Sequence, residues 1–192
     1  DFMREILAEF THLARRSPDI NQRSGVSVRV SITNLENIQS NAIRRAIRLK
    51  ENYAVPRISD LPAILASTAV KIELETAEEG REEHVIDKLV QTAVVNVFNR
   101  YFRVQDLEPV VASFDQGVTV EVSELTPSRD YLQVARRATG LLEAAEKLAA
   151  DKNPASVASA VEFLLEGLHL NRKLNKEKVT GKAQYRGHHA FL

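Results

Sequence analysis

Cysteine is missing from all 192 residues, which excludes disulfides and thiolate metal sites and suits a reducing compartment, so the cytoplasm is the expected location. Long apolar runs are missing too: none approaches the roughly 18 residues needed to span a bilayer, and no membrane partner is expected. Neither sign of charge is in excess, since Lys plus Arg and Asp plus Glu number 26 each. That balance gives no general surface for nucleic acid, and any basic site must be local. None of the seven glycines sits in a G-x-x-x-x-G-K-[ST] frame, and no apolar strand ends in paired acids fit to hold a nucleotide's magnesium. A hydrolase nucleophile is not marked either, for there is no Gly-x-Ser-x-Gly or Ser-His-Asp arrangement. His12, His84, His169, His188 and His189 lack H-E-x-x-H spacing and a supporting carboxylate cluster, so no metal site is expected. The acids from Glu73 to Glu83 lack Ca²⁺-loop periodicity and suit a solvated linker.

What is present is a core, at 44% hydrophobic residues, and strong helical periodicity. Phe2, Ile6, Leu7, Phe10 and Leu13 form one face of a helix that ends near Arg16 and Pro18. That periodicity already runs at the first residues, with no initiator Met, so further chain is expected upstream. After a polar loop from Ser17 to Gly25, Thr33-Asn-Leu-Glu36 reads as a capping box opening a second helix to Lys50. Its stripe is Leu35, Ile38, Ala42, Ala46 and Leu49. Ser59 is the expected cap of a third helix with Leu61, Ile64, Leu65, Thr68 and Ile72 inward.

A boundary is expected near Ala77. Beyond it, Val85, Ile86, Leu89, Val90, Ala93, Val94, Val97, Phe98 and Tyr101 make the widest stripe, suited to a helix packed on two sides. Leu107 to Phe114 is a short helix. Gly117 to Val122 alternates like a strand but has no evident partner run, so it reads as an extended connector. One helix is expected from Ser128 or Arg129 to Ala150. Another, capped by Asn153 with Pro154 at its first position, should reach Asn175. Lys176 to Leu192, polar and interrupted by Gly181 and Gly187, reads as a mobile basic tail. The expected organisation is thus all-α: a helical subdomain over 1–76, a helical extension over 77–175 and a flexible tail over 176–192.

Arg23-Ser-Gly-Val-Ser-Val-Arg29 opens onto the second helix. A helix N-terminus offers free N–H groups and partial positive charge to a phosphate, and an arginine there adds a planar fork that stays charged. On the residues alone Arg29 is a modest phosphate candidate, and a solvated loop arginine is the plainer reading. The pairs Arg15–Arg16, Arg44–Arg45 and Arg136–Arg137 suit solvated faces, although Arg44 or Arg45 is also a possible interface residue that stabilises phosphoryl-transfer charge in trans.

Gly25, Ser27, Arg29, Ala42 and Ala46, with Val55-Pro-Arg-Ile-Ser-Asp60 leading into the next helix, resemble the lid of AAA+ ATPases in the magnesium-chelatase ATPase-subunit and MoxR group. Leu107 to Asp115 and Val161 to Leu170 look similar to the C-terminal extension of a magnesium-chelatase-like bacterial subgroup. The resemblance implies that Arg29 is the sensor 2 arginine touching the terminal phosphates of ATP, with Gly25 and Ser27 in the same turn. It also implies that ATP and Mg²⁺ are held by a core outside these residues. The chain alone would then be inactive. Its partners would be that core in the same polypeptide, neighbouring ring subunits and an unidentified remodelled protein. The competing expectation is a helical interaction module that never meets nucleotide, binding through the apolar faces of 81–102 and 154–175.

Overall fold

The structure, a computed structural model, describes residues 2–21, 23, 26–69, 71–74, 81–149, 151–179 and 181–188. Eight α-helices account for most of these: α1 (Phe2–Ala14), α2 (Val28–Leu49), α3 (Ile64–Ala69), α4 (Arg81–Tyr101), α5 (Glu108–Asp115), α6 (Ser128–Ala135), α7 (Leu141–Leu148) and α8 (Pro154–Leu170). Two 3₁₀ turns, Ile58–Ala63 and Val104–Leu107, precede α3 and α5. Three strands complete the fold, β1 (Val120–Val122), β2 (Asn175–Val179) and β3 (Lys182–Arg186). The chain is therefore predominantly helical, as its periodicity requires, but carries a small sheet where none was expected.

The axle of the fold is α8. Asn153 Oδ1 accepts from Ser156 N at 2.9 Å and Pro154 takes the first helical position, so the N-terminus is fixed by local chemistry. Every residue from Val157 to Leu168 is buried, because α4, α6, α7 and the 3₁₀ turn at Ile58 surround the helix. On the far side of α4 lies α1, which sends Phe2 through to stack on Phe163 at 4.4 Å, while Phe98 meets the same ring edge-on at 5.8 Å. Burying one such ring contributes about 1.5–3 kcal/mol. Residues on both sides of the expected boundary thus share one hydrophobic core. Ala77 itself falls outside the described residues. The apolar faces of α4 and α8, expected to be offered to a partner, are used internally.

Several local expectations are corrected. The second helix begins at Val28 rather than Thr33, because Ser27 is the nearer cap, its Oγ accepting from Arg29 N at 3.2 Å. Thr33 lies one turn inside and donates back to the Arg29 carbonyl at 2.8 Å. Ser59 does not cap the third helix: Asp60 instead accepts from Arg57 N at 2.8 Å, and the chain turns as a 3₁₀ segment before α3. The expected helix from Ser128 to Ala150 is broken. Gly140 adopts φ +83°, and Thr139 N donates to Ser113 Oγ at 2.9 Å, turning the chain between α6 and α7.

The lone strand finds its partner in the supposed tail. β3 pairs antiparallel with β1 (Val120 opposite Tyr185) and with β2 (Asn175 opposite Arg186), giving the order β1-β3-β2. Gly181, at φ +77°, closes the hairpin. Where a flexible tail was expected, β2 and β3 thus form part of the sheet, and the helix before them stops at Leu170.

Gly167 of α8 is where the α4–α8 crossing is tightest: a Cβ there would lie 1.9 Å from Phe98 Cδ2, and Phe98 is fully buried. Gly167→Ala is expected to lower the unfolding free energy by at least about 2 kcal/mol, measured by urea denaturation, because overpacking at a rigid crossing forces rings and backbone apart. An unchanged midpoint would mean that the crossing yields freely.

Candidate functional site

The predicted site lies at the N-terminal end of α2. Ser27, in extended backbone (φ −65°, ψ 147°), caps the helix and sets Arg29 in its first turn, with the Arg29 side chain in solvent. No side-chain partner holds the guanidinium among the described residues. One turn on, Thr33 accepts from Lys71 Nζ at 2.7 Å, so the ammonium that follows α3 is brought to the same end of α2. Ser27, Arg29, Ile32, Thr33 and Lys71 line a shallow open groove that contains two cations and, among the described residues, no carboxylate. A fork and a point charge side by side suit an anion with several oxygens. Gly25 lies outside the described residues.

The two interface candidates separate. Arg44 is exposed and donates to Asn41 Oδ1 at 2.8 Å. Arg45 is buried, ion-paired with Asp60 and donating to the Val55 carbonyl at 2.7 Å. Asp60 also accepts from Asn41 Nδ2 at 2.7 Å. Arg45 thus fastens the C-terminal end of α2 to the 3₁₀ turn, with its charge met inside the chain, whereas of the two possible interface residues Arg44 is the exposed one.

Sequence reasoning missed the polar centre of the molecule. Arg57 is 0% exposed, although it was noted only as part of the lead-in to the third helix. Its Nη2 donates to Ser128 Oγ at 2.6 Å and its Nη1 to the Thr126 carbonyl at 3.0 Å, with Glu51 Oε2 at 3.8 Å and the Tyr131 ring 4.7 Å beneath. Tyr131 in turn donates to Glu162 Oε1 at 2.5 Å, and Ser59 N donates to Glu162 Oε2 at 2.8 Å. Burial pushes the Glu162 carboxyl above its usual 4.5, against the opposing pull of Arg57 and the two hydrogen bonds. Burial, and then the charge of Glu162, holds the Tyr131 hydroxyl well above 10.

One turn along α8, Glu166 accepts from Tyr185 Oη at 2.5 Å and from Lys176 Nζ at 2.7 Å. The available signal was the pair Glu162 and Glu166 inside an otherwise apolar run, since carboxylates there must have partners. Arg57, Tyr131 and Glu162 are sealed from solvent, so this network holds elements in position.

Comparison with known families, with curated proteins and with solved structures finds no match to this chain.

Because Glu162 holds its proton more firmly in the folded protein than in the unfolded chain, its contribution to stability is fully present below about pH 4.5 and is lost as pH rises through the folded value. Relative to Glu162→Gln, the wild-type protein should lose stability on going from acid toward neutral pH, read by urea unfolding across a pH series. A difference that stays flat would place the carboxyl at its ordinary value.

Proposed function

We propose that this chain is the lid and helical extension of an AAA+ ATPase of the magnesium-chelatase ATPase-subunit and MoxR group, closing over nucleotide held by a core outside these residues. The observation that carries the reading is Arg29 itself: an exposed guanidinium in the first turn of a capped helix, beside Lys71 and opposed by no acid among the described residues of its groove. In this role Arg29 acts as sensor 2 and meets the terminal phosphates of ATP, while Ser27 caps the helix that carries it. ATP and Mg²⁺ stay with the core, since phosphoryl transfer depends on positioning and charge stabilisation that the core's phosphate loop and metal supply.

The single core shared by 1–76 and 77–175 supports a second part of the reading. A lid that moves with its nucleotide carries the extension with it, because α1, α4 and α8 are packed too closely to slide. The burial of most of the apolar residues of α4 and α8 supports this reading over a nucleotide-independent module that binds through those faces.

The pure chain is expected to show no turnover of Mg-ATP above background, and measurable hydrolysis by it alone would overturn the assignment. In the full-length protein with its core, Arg29→Ala should lower ATP hydrolysis about tenfold or more without loss of fold, since the side chain is exposed. Unchanged hydrolysis together with unchanged nucleotide-dependent assembly would remove Arg29 from the site.

A further inference from the structure

α1 and α2 pack side by side, and a groove runs between their outer surfaces. Its floor is aliphatic, formed by Leu7 and Ala8 from α1 and by Val28 and Leu35 from α2. Its rim is basic, with Arg4 on α1 and Arg15 just past its end, His12 lies between them, and no carboxylate is found among the described lining residues. The acids of α1 are turned the other way: Glu5 accepts from Tyr101, and Glu9 from Arg100 and Asn96, all on α4.

The apolar floor continues onto the open face of α2. Val28 is 62% exposed, Ile32 54%, Ile43 50% and Ile47 72%, four aliphatics that return to one side of the helix at intervals of about one turn or three. Arg44 and Arg48 flank the far end of this stripe, and Glu36, the single acid on α2, lies exposed on the same side between Ile32 and Ile43. Scattered exposed aliphatics need no explanation, but an aligned set that adjoins a groove with a basic rim does.

We propose that the α1–α2 groove and the adjoining face of α2 dock an amphipathic helix of a partner protein, aliphatic on one side and lined with Asp and Glu along its flanks. Charge complementarity selects this occupant: the apolar positions supply anchors, and the cationic rim sets orientation and rejects basic helices. A lipid surface fits less well, because Leu7 and Ala8 lie in the trough between two helices, where a flat boundary does not reach. A second copy of this chain fits less well too, since it would set like charges face to face. The docking needs no nucleotide, so its outcome is independent of the role given to Arg29 in ATP hydrolysis.

The test uses a fluorescein-labelled synthetic helix of about twenty residues, with Leu at helical spacing and Glu on both flanks, and a twin in which every Glu is Lys. By fluorescence anisotropy the Glu peptide should bind the whole chain at least tenfold more tightly than the Lys twin, and binding should weaken as salt rises from about 50 to 300 mM. Val28→Asp should reduce binding at least tenfold with an unchanged circular dichroism spectrum, because an acid at the first helical position suits the helix dipole. His12→Glu, at an exposed rim position, should act in the same direction. Equal affinity for the two peptides, no binding of either, or full binding by Val28→Asp would overturn the proposal. So would capture by phosphatidylserine vesicles without capture of the Glu peptide, or self-association that Val28→Asp abolishes.

Discussion

Taking a guanidinium out of water costs several kcal/mol unless its donors and charge are met inside, and Arg57 is the position at which this fold accepts that cost. The groups that meet it come from distant parts of the chain: Thr126 and Ser128 at the start of α6, Glu51 after α2, and the ring of Tyr131. Glu51 takes a second bond from Ser128 N, and Tyr131 hands on to Glu162 in the middle of α8. Removing any one partner leaves another buried and unsatisfied. The arrangement therefore fixes how the first part of the chain sits on α6 and α8 more narrowly than apolar packing alone does, since apolar faces tolerate sliding and a buried ion does not. The match is close but not complete, for the Nε atoms of Arg57 and Arg45 are buried without a partner.

How much of this was legible depended on whether a residue's role was local. Helices α1 and α4 follow from period, because each buries a stripe that repeats with the helix, and α8, buried on every side over most of its length, follows from its Asn153-Pro154 start. The start of α2 was misplaced by one turn because two hydroxyl residues, Ser27 and Thr33, both suit a cap, and only the backbone path decides between them. β3 was hidden because its inward face consists of Ala183 and Tyr185 alone, set between Lys, Gln and Arg, and its pairing partner lies far back in the sequence. Of the candidate site, Arg29 and Ser27 were found from the turn that they make. Arg45 was placed outside because a run of arginines near a helix end usually faces water. Its buried partner, Asp60, belongs to another element, and no periodicity reports such a pairing.

Charge and apolarity are thus exchanged in two places. Arg45, Arg57, Asp60, Glu162 and Glu166 lie inside, while Val28, Ile32, Ile43 and Ile47 lie outside on one helix. The inner set is consumed in fixing the core. The outer set, with Arg29 at one end and Arg44 and Arg48 at the other, gives α2 two opposed duties: one side closes the core through Val30, Ile38 and Ala42, and the other is turned outward. A long helix of this kind transmits a push at its first turn along its whole length, which is why the cationic end and the aliphatic side belong to one rigid piece.

The sheet order β1-β3-β2 has a consequence for the path by which the molecule is reached. β2 and β3 form a hairpin closed by the turn at Gly181, a local event on the microsecond scale. β1 has no neighbour until β3 arrives, although it precedes β3 by α6, α7 and α8. During synthesis the edge at Val120 and Val122 therefore waits unpaired while three helices are made, and only then does the Tyr185 strand cover it. Gly187 follows, pressed so closely on Phe114 that a Cβ would come within 2.6 Å of its backbone. The strand that covers this edge is made only after the helices between, and a nascent chain halted before it presents a bare strand edge of the kind that recruits other chains.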